Sequence, residues 1–341
     1  MPELIVSEWG ERKLLKNIFK KFMRPIPGLK VGMGDDAAIV QPRLNRDLVY
    51  TTDTLIEKID FDFNYTTYEQ VGHKAMTANL SDIAAMGAFP KYYLLTLGIP
   101  SATTVSHVLN IIRGADRVAQ RYSAGLIGGD LSESPVLIVS ITLIGEIKPA
   151  LPILRRSAVP DDILYVTGTL GDSKAGLEIL KRSGMNKTDL GDKYLIRRHL
   201  APDAKMKEGQ LLSKNRLAHS MMDISDGFYT DILNLTEASG VGADIHLNEL
   251  PLSSPLLKYG KSRNVNPVLI ALSGGEDFEL LFSVSPRNLK KLNQFILSKK
   301  INAKAVGKVT QKKGIRYLDK NGKVLKVKKS GFEHFAPHSY L

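Results

Sequence analysis

Three prolines among small and aliphatic residues, Pro149, Pro152 and Pro160, interrupt the chain near its middle and constrain its fold more than any other feature. Proline lacks the backbone N–H that a helix interior or a sheet ladder needs, so no regular element runs through such a stretch. On each side strand-like and helix-like patterns mix in similar amounts. The 341 residues suit about two domains at roughly 150 residues each. The sequence therefore predicts two α+β domains, residues 1–149 and 150–341.

In the first domain Leu14, Leu15, Ile18, Phe19 and Phe22 form one apolar stripe at helical spacing. Leu48–Thr52 reads as a short strand ending at Asp53. A helical pattern runs from Tyr68 to Met86, where Gly87 and Pro90 stop it. Tyr92–Leu97 reads as a strand, Thr104–Tyr122 as a long amphipathic helix, and Leu126–Gly128 and Val136–Ile144 as two more strands. In the second domain Asp162–Thr167, Phe278–Val284 and Lys304–Val309 read as strands. Lys174–Arg182, Ala204–Leu212 and Tyr229–Ser239 read as helices, and Lys312–Lys329 as a terminal hairpin turning at Asn321-Gly322.

No apolar run approaches the ~18 residues a transmembrane helix needs, and Met1–Gly10, with Glu3 and Glu8, lacks a signal-peptide pattern. A soluble cytoplasmic protein is expected, with no membrane partner. The chain has no cysteine, so disulfides, thiolate metal ligands and thiol nucleophiles are excluded. The net charge of +12 favours anionic partners. Its lysines are scattered instead of forming an aromatic-interleaved patch, so nucleic acid is not the expected partner.

The chemistry is written in acidic residues that look like loop residues, many of them beside glycine. They occur in Gly34-Asp35-Asp36, Thr51-Thr52-Asp53, Asn79-Leu80-Ser81-Asp82, Gly128-Gly129-Asp130, Asp223-Ile224-Ser225-Asp226-Gly227 and Gly275-Glu276-Asp277. Aspartate favours turns because its side chain bonds nearby backbone groups. Six such motifs in a basic chain are harder to read as turns alone. Val71, Ala75, Ala78 and Asp82 share one face of their predicted helix, and that face looks buried. A buried carboxylate needs a partner. That partner is either a structural cation or a metal ion held jointly with other aspartates, and the metal is the better reading. Hard oxygen donors without cysteine suit Mg²⁺, which joins protein carboxylates to substrate phosphates. Several such ions are a phosphoryl-transfer arrangement. His334 and His338 have a four-residue spacing, but Pro337 between them prevents the helix that would align them.

The common phosphate-binding signatures are missing: there is no Gly-x-x-x-x-Gly-Lys-Ser/Thr and no kinase His-Arg-Asp loop. Gly168-Thr169-Leu170-Gly171-Asp172-Ser173 has the form of a glycine-rich anion loop, although a strand–turn–helix connection capped by Asp172 or Ser173 explains it as well. Gly128-Gly129 is the better phosphate contact, because bare backbone lets a nucleotide come close to Asp130.

In this order the motifs resemble the thiamine-monophosphate kinase family, from Gly34-Asp35-Asp36-Ala37-Ala38 to Gly331-Phe332-Glu333-His334-Phe335. The strongest are Thr51-Thr52-Asp53, Asn79–Gly87, Met222–Gly227 and Gly274–Phe282. The resemblance implies a two-domain aminoimidazole ribonucleotide synthetase-like fold. It also implies a homodimer whose N-terminal domains pair their strands into a shared barrel, and an active site in the groove between the two domains. The activity implied is direct transfer of the ATP γ-phosphoryl to thiamine phosphate, with no catalytic side chain forming a phosphoenzyme.

By motif, the resemblance assigns Asp36, Thr52, Asp53, Asp82, Asp130, Asp223 and Asp226 to several Mg²⁺ ions. It assigns Gly129, Asp130, Arg155 and Ser225 to ATP, and Asp60, Glu276 and Phe332 to thiamine phosphate. Some relatives carry histidine at the position of Asp60. Arg155 is placed by its distance from Asp162, and Arg156 is the alternative. In this reading Phe332 stacks on a thiamine ring and carboxylates answer the thiazolium charge. Selenophosphate synthetase and the hydrogenase-maturation carbamoyl dehydratase, of the same superfamily, each need a cysteine or selenocysteine that this chain lacks. Aminoimidazole ribonucleotide synthetase fits the Asp223–Gly227 and Gly275–Phe282 motifs poorly. The reading from another class is a non-catalytic nucleotide or nucleic-acid binder, and the complete aspartate set argues against it.

Overall fold

The computed structural model describes residues 4–183, 190–327 and 331. The chain parts into two compact units, Met1–Ile83 with Ala88–Ala150, and Ala84–Gly87 with Leu151–Leu341. Among the described residues, no helix is long and apolar enough to cross a membrane.

The first unit opens with α1 (Val6–Trp9) and α2 (Glu11–Phe22), which buries Leu14, Ile18 and Phe22. The short strands β1 (Leu29–Val31) and β2 (Ile39–Val40) pair with each other. Then come β3 (Asp47–Ile56), α3 (Tyr68–Ala85), β4 (Phe89–Ile99), α4 (Val105–Gln120), β5 (Gly125–Glu133) and β6 (Ile138–Ile147). These four longer strands form one sheet in the order β3-β6-β4-β5, antiparallel except for β4 beside β5. β3, β4 and β5 run further than their apolar cores predict, because backbone pairing carries them through polar positions, while β6 is shifted, starting at Ile138 instead of Val136 and ending at Ile147. Helices α3 and α4 cross at two glycines. A Cβ on Gly72 would stand 1.9 Å from Ile111 O, and one on Gly114 2.0 Å from Glu69 O. Only glycine permits that approach.

Asp116 of α4 is a buried anchor for this unit. Its carboxylate accepts from Arg24 at 2.7 and 2.9 Å, from Gln120 at 2.6 Å and from the Tyr93 hydroxyl at 3.2 Å. Asp116→Ala leaves the Arg24 guanidinium and Tyr93 hydroxyl without their acceptor. A loss of about 3–5 kcal/mol is expected, measured as a lowered denaturation midpoint at unchanged m value.

The second unit contains β7 (Ile163–Thr167), α5 (Asp172–Ser183), α6 (Leu190–Leu200), α7 (Met206–Lys214), β8 (Ser220–Ile224), α8 (Phe228–Ser239), β9 (Gly242–His246), α9 (Ser254–Arg263) and α10 (Pro267–Ser273). It continues through β10 (Glu279–Val284), α11 (Leu289–Leu297), β11 (Ala303–Thr310), β12 (Gly314–Leu318) and β13 (Val324–Leu325). Its seven-stranded sheet has the order β13-β12-β9-β11-β7-β10-β8. The core packs Leu164, Val166, Met222, Ile224 and Leu281 of the sheet against Phe228, Ile232 and Leu235 of α8. The expected terminal hairpin is β12–β13, and Asp319 builds its turn by accepting the N–H groups of Asn321 and Lys323.

Candidate functional site

Asp82 lies on α3 as its helical pattern predicts, whereas Asp53, Asp130 and Asp223, which look like loop residues in the sequence, lie within β3, β5 and β8 respectively. Asp36, Asp226 and Glu276 do lie in loops. Loop-like composition misleads here because sheet pairing overrides local turn propensity.

β3 runs on through Asp53 to Ile56, so alternation puts Thr51, Asp53 and Leu55 on one face. The Thr51 hydroxyl donates to Asp82 Oδ2 in a short contact, which identifies this as the face toward α3. Val71 and Ala75 are fully buried as expected, whereas Ala78 and Asp82 are only half-buried. Asp82 therefore keeps access to solvent beside the β3 edge. Thr52 faces the other way, where its hydroxyl donates to Ile141 O at 3.1 Å and accepts from Thr142 at 3.3 Å.

At the opposite edge, β5 carries Gly128, Gly129 and Asp130. A Cβ on Gly129 would stand 1.9 Å from Leu95 O, so its backbone is bare by necessity. Asp130 is exposed and accepts from Ser132 at 2.8 Å. With Asp35 and Asp36 these residues line a cavity of about 640 Å³. Asp36 is exposed, and its N–H donates to Asp35 at 2.9 Å.

The pairing register fixes how far apart these groups are. Asp53 pairs with Ile141, Ile141 with Leu95, and Leu95 with Gly129. One row of the sheet thus runs from Asp53 to Gly129 across three strand spacings, about 14 Å. A single N-terminal unit does not gather Asp53 and Asp130 round one ion.

In the second unit β8 ends at Asp223-Ile224, and Ser225-Asp226-Gly227 turn into α8. Gly227 has φ 109°, a conformation that favours glycine. Asp231 holds this turn by accepting the N–H groups of Asp226 and Gly227 at 3.3 and 3.1 Å. Burial, and then the carboxylates of Asp223 and Asp226, push Asp231 up to about 8. The Gly274–Phe278 loop lies directly against the turn. Glu276 N–H donates to Ser225 O at 2.7 Å and Phe278 N–H to Ile224 O at 3.0 Å. Glu276 and Phe278 have φ of 60° and 51°, left-handed conformations that cost side-chain-bearing residues energy. Such strain persists where the surroundings over-determine it, and this unit brings Asp223, Ser225, Asp226 and Glu276 together.

The glycine-rich loop at Gly168–Ser173 already has its anion. Asp277 is fully buried and accepts Gly171 N–H at 2.6 Å and Ser173 N–H at 3.1 Å, so the start of α5 binds the protein's own carboxylate. Burial pushes Asp277 up to about 7, although Arg198 and those N–H groups pull it down. Arg198 donates to the Asp277 carbonyl at 3.2 Å and to Glu279 at 2.9 Å. Helix α6, which carries Arg198 and His199, is absent from the sequence reading. The spacing of Leu195 and His199, both buried, was its available signal.

The remaining predicted residues are more scattered. Asp60 uses its carboxylate to accept Ile56 N–H at 2.8 Å, closing the loop after β3. Arg155 lies in a single 3-10 turn, and its carbonyl accepts from Ser239 at the far end of α8, about 17 Å of helix from Asp226. Phe332 and the His334–His338 pair lie outside the described residues. Gly331, the residue before Phe332, packs beside the start of α8, where a Cβ would stand 2.1 Å from Thr230 Oγ1.

Among the described residues no three His, Asp or Glu side chains surround a common point as they would for an ion held by protein alone. The donor set nonetheless fits Mg²⁺, which keeps waters and shares phosphates instead of filling an all-protein cage. Asp231 Oδ1 is buried without a hydrogen-bond partner, next to the Asp223–Asp226 turn. A divalent cation held there would relieve the crowding of three carboxyl groups.

Residues 34–147 match the family model of the AIR synthase related protein N-terminal domain, and residues 159–320 that of its C-terminal domain. The chain is 34% identical over 330 residues to the thiamine-monophosphate kinase of Buchnera aphidicola subsp. Schizaphis graminum, covering 96% of this chain and 99% of that protein. It is 36% identical over 310 residues to that of Bacillus subtilis, covering 89% and 93%. Among solved structures it matches AaThiL complexed with AMPPCP and TMP at TM-score 0.77 and 33% identity, covering 98% of this chain and 100% of that one. The chain belongs to the thiamine-monophosphate kinase family of AIR synthase related proteins.

Proposed function

We propose that the chain transfers the γ-phosphoryl group of ATP to thiamine phosphate, giving thiamine diphosphate and ADP. The observation that carries this reading is the strained Glu276 loop held against Asp223–Asp226, within a chain that matches a structure containing AMPPCP and TMP. In this reading Asp36, Thr52, Asp53, Asp82 and Asp130 of the first unit, and Asp223 and Asp226 of the second, hold magnesium. Gly129 and Ser225 would offer backbone and hydroxyl contacts to ATP, Asp130 would help hold the metal and the nucleotide, and Arg155 or Arg156 would supply a cation. Asp60, Glu276 and Phe332 take thiamine phosphate. An activity that consumes ATP and thiamine phosphate suits the cytoplasm.

Donor and acceptor are both phosphates and repel each other. Magnesium, when bound, neutralises that charge and aligns the two groups in line. The carboxylates fix where it sits, the Gly129 backbone admits the nucleotide, and Glu276 faces the thiazolium cation. The acceptor oxygen is ionised near neutral pH, so no strong general base is required.

The active form is a homodimer. Asp53 and Asp130 lie at opposite edges of one sheet, and pairing two such sheets brings the β3 edge of one chain toward the β5 edge of its partner. Tyr50, more than half exposed on β3, gives the sheet an apolar residue for a partner to cover. Incubation with ATP, Mg²⁺ and thiamine phosphate should yield thiamine diphosphate on chromatography, while unphosphorylated thiamine, which brings no second phosphate, should stay unreacted. Comparable reaction of thiamine would overturn the substrate assignment.

A further inference from the structure

We propose that His199 is a positioning residue for Glu276, setting where its carboxylate meets the organic cation of the acceptor. The inference rests on the role given to Glu276 above. His199 stands in the last turn of α6 and is only 2% exposed. Its Nδ1 lies 3.3 Å from Glu276 Oε2 and 3.1 Å from Ser173 Oγ. A carboxylate oxygen only accepts, so the tautomer proposed here has its proton on Nδ1, shared between Glu276 and the Ser173 hydroxyl.

Every group round this imidazole is itself fixed. Ser173 donates its N–H to Asp277, which ties the start of α5 to the Glu276 loop. Glu276 has its backbone held in the left-handed region by its N–H bond to Ser225 O. Arg198, the residue before His199, grips the Asp277 carbonyl and Glu279. Two consecutive side chains of α6 thus clamp one loop, Arg198 from beneath the backbone and His199 at the carboxylate. The Glu276 side chain remains 31% exposed, able to meet a ligand while one oxygen stays tethered. A glutamate with free rotamers gives up conformational entropy when a cation binds, and a tethered one has already done so.

The test measures KM for thiamine phosphate, KM for ATP, kcat and melting temperature for His199→Leu, His199→Asn, Glu276→Gln and the His199→Leu/Glu276→Gln double variant. His199→Leu should raise KM for thiamine phosphate about tenfold, the loss of one charge-assisted hydrogen bond, with KM for ATP unchanged. His199→Asn, whose amide nitrogen sits close to the Nδ1 position, should restore most of that loss. In the Glu276→Gln background the His199→Leu effect should largely vanish, because the two act as one unit. Additive losses, equal rises in both KM values, or failure of His199→Asn to rescue would overturn the proposal while leaving Glu276 in place. If Glu276→Gln alone leaves KM for thiamine phosphate unchanged, the role of Glu276 falls, and the proposal falls with it.

Discussion

Asp82→Asn should fold and melt close to the unmodified protein, lose about a hundredfold or more in kcat, and need far more Mg²⁺ for the activity that remains. The substitution keeps size and shape and leaves an oxygen that can still accept the Thr51 hydroxyl. What it removes is the negative charge. A carboxylate that only stapled α3 to β3 would be missed as stability, since breaking a buried charged pair costs about 3–5 kcal/mol. Asp82 is half-buried on α3 and touches Thr51 of the edge strand β3, on the face that also carries Asp53, so a shared cation there would be reachable from solvent. Thermal melts and Mg²⁺ titrations separate the two cases. A lowered melting temperature with near-normal turnover and Mg²⁺ dependence would show Asp82 to be structural.

Helix α3 was legible as a helix, but the buried face expected for Asp82 was only half right: Val71 and Ala75 are buried, Ala78 and Asp82 are half-buried, and α3 is covered on most of its other positions as well. The element type round the other aspartates was not. Asp53, Gly129 and Asp130 are poor strand formers, and neighbouring backbones hold them in the sheet. The chemistry proposed for them does not depend on the element type, because oxygen donors and bare glycine backbone mean the same thing on a strand as in a loop. The glycine-rich loop before α5 shows the opposite failure. Its form was visible, yet its anion is Asp277, more than 100 residues later, and no local pattern announces that partner. Helix α6 escaped because polar residues such as Asp192, Lys193 and Arg197 dilute its apolar period, and its inward-facing groups include the polar neighbours Arg198, largely covered, and His199, buried. A buried charge reads as surface until its partners are known.

Mixing two inactive variants, Asp53→Asn and Asp130→Asn, should restore about a quarter of the unmodified rate once subunits have exchanged. The register that aligns Asp53 with Gly129 also holds them about 14 Å apart, far beyond the reach of ligands to one Mg²⁺ at about 2 Å each. If the β3 edge of one chain completes the β5 edge of its partner, each homodimeric variant has two damaged sites. A mixed dimer then collects both lesions in one site and leaves the other intact. Random pairing makes half of the dimers mixed, and each mixed dimer has one good site of two. Sites built within single chains give the reverse result: every site in the mixed dimer carries one lesion, and mixing restores nothing. Each variant alone measures the baseline, and light scattering during mixing shows whether dimers exist to exchange. A monomer of 37.6 kDa at micromolar concentration would remove the basis for shared sites. Recovery in a dimer would place the two carboxylates of one phosphoryl-transfer site on different chains, so subunit separation alone would switch the enzyme off.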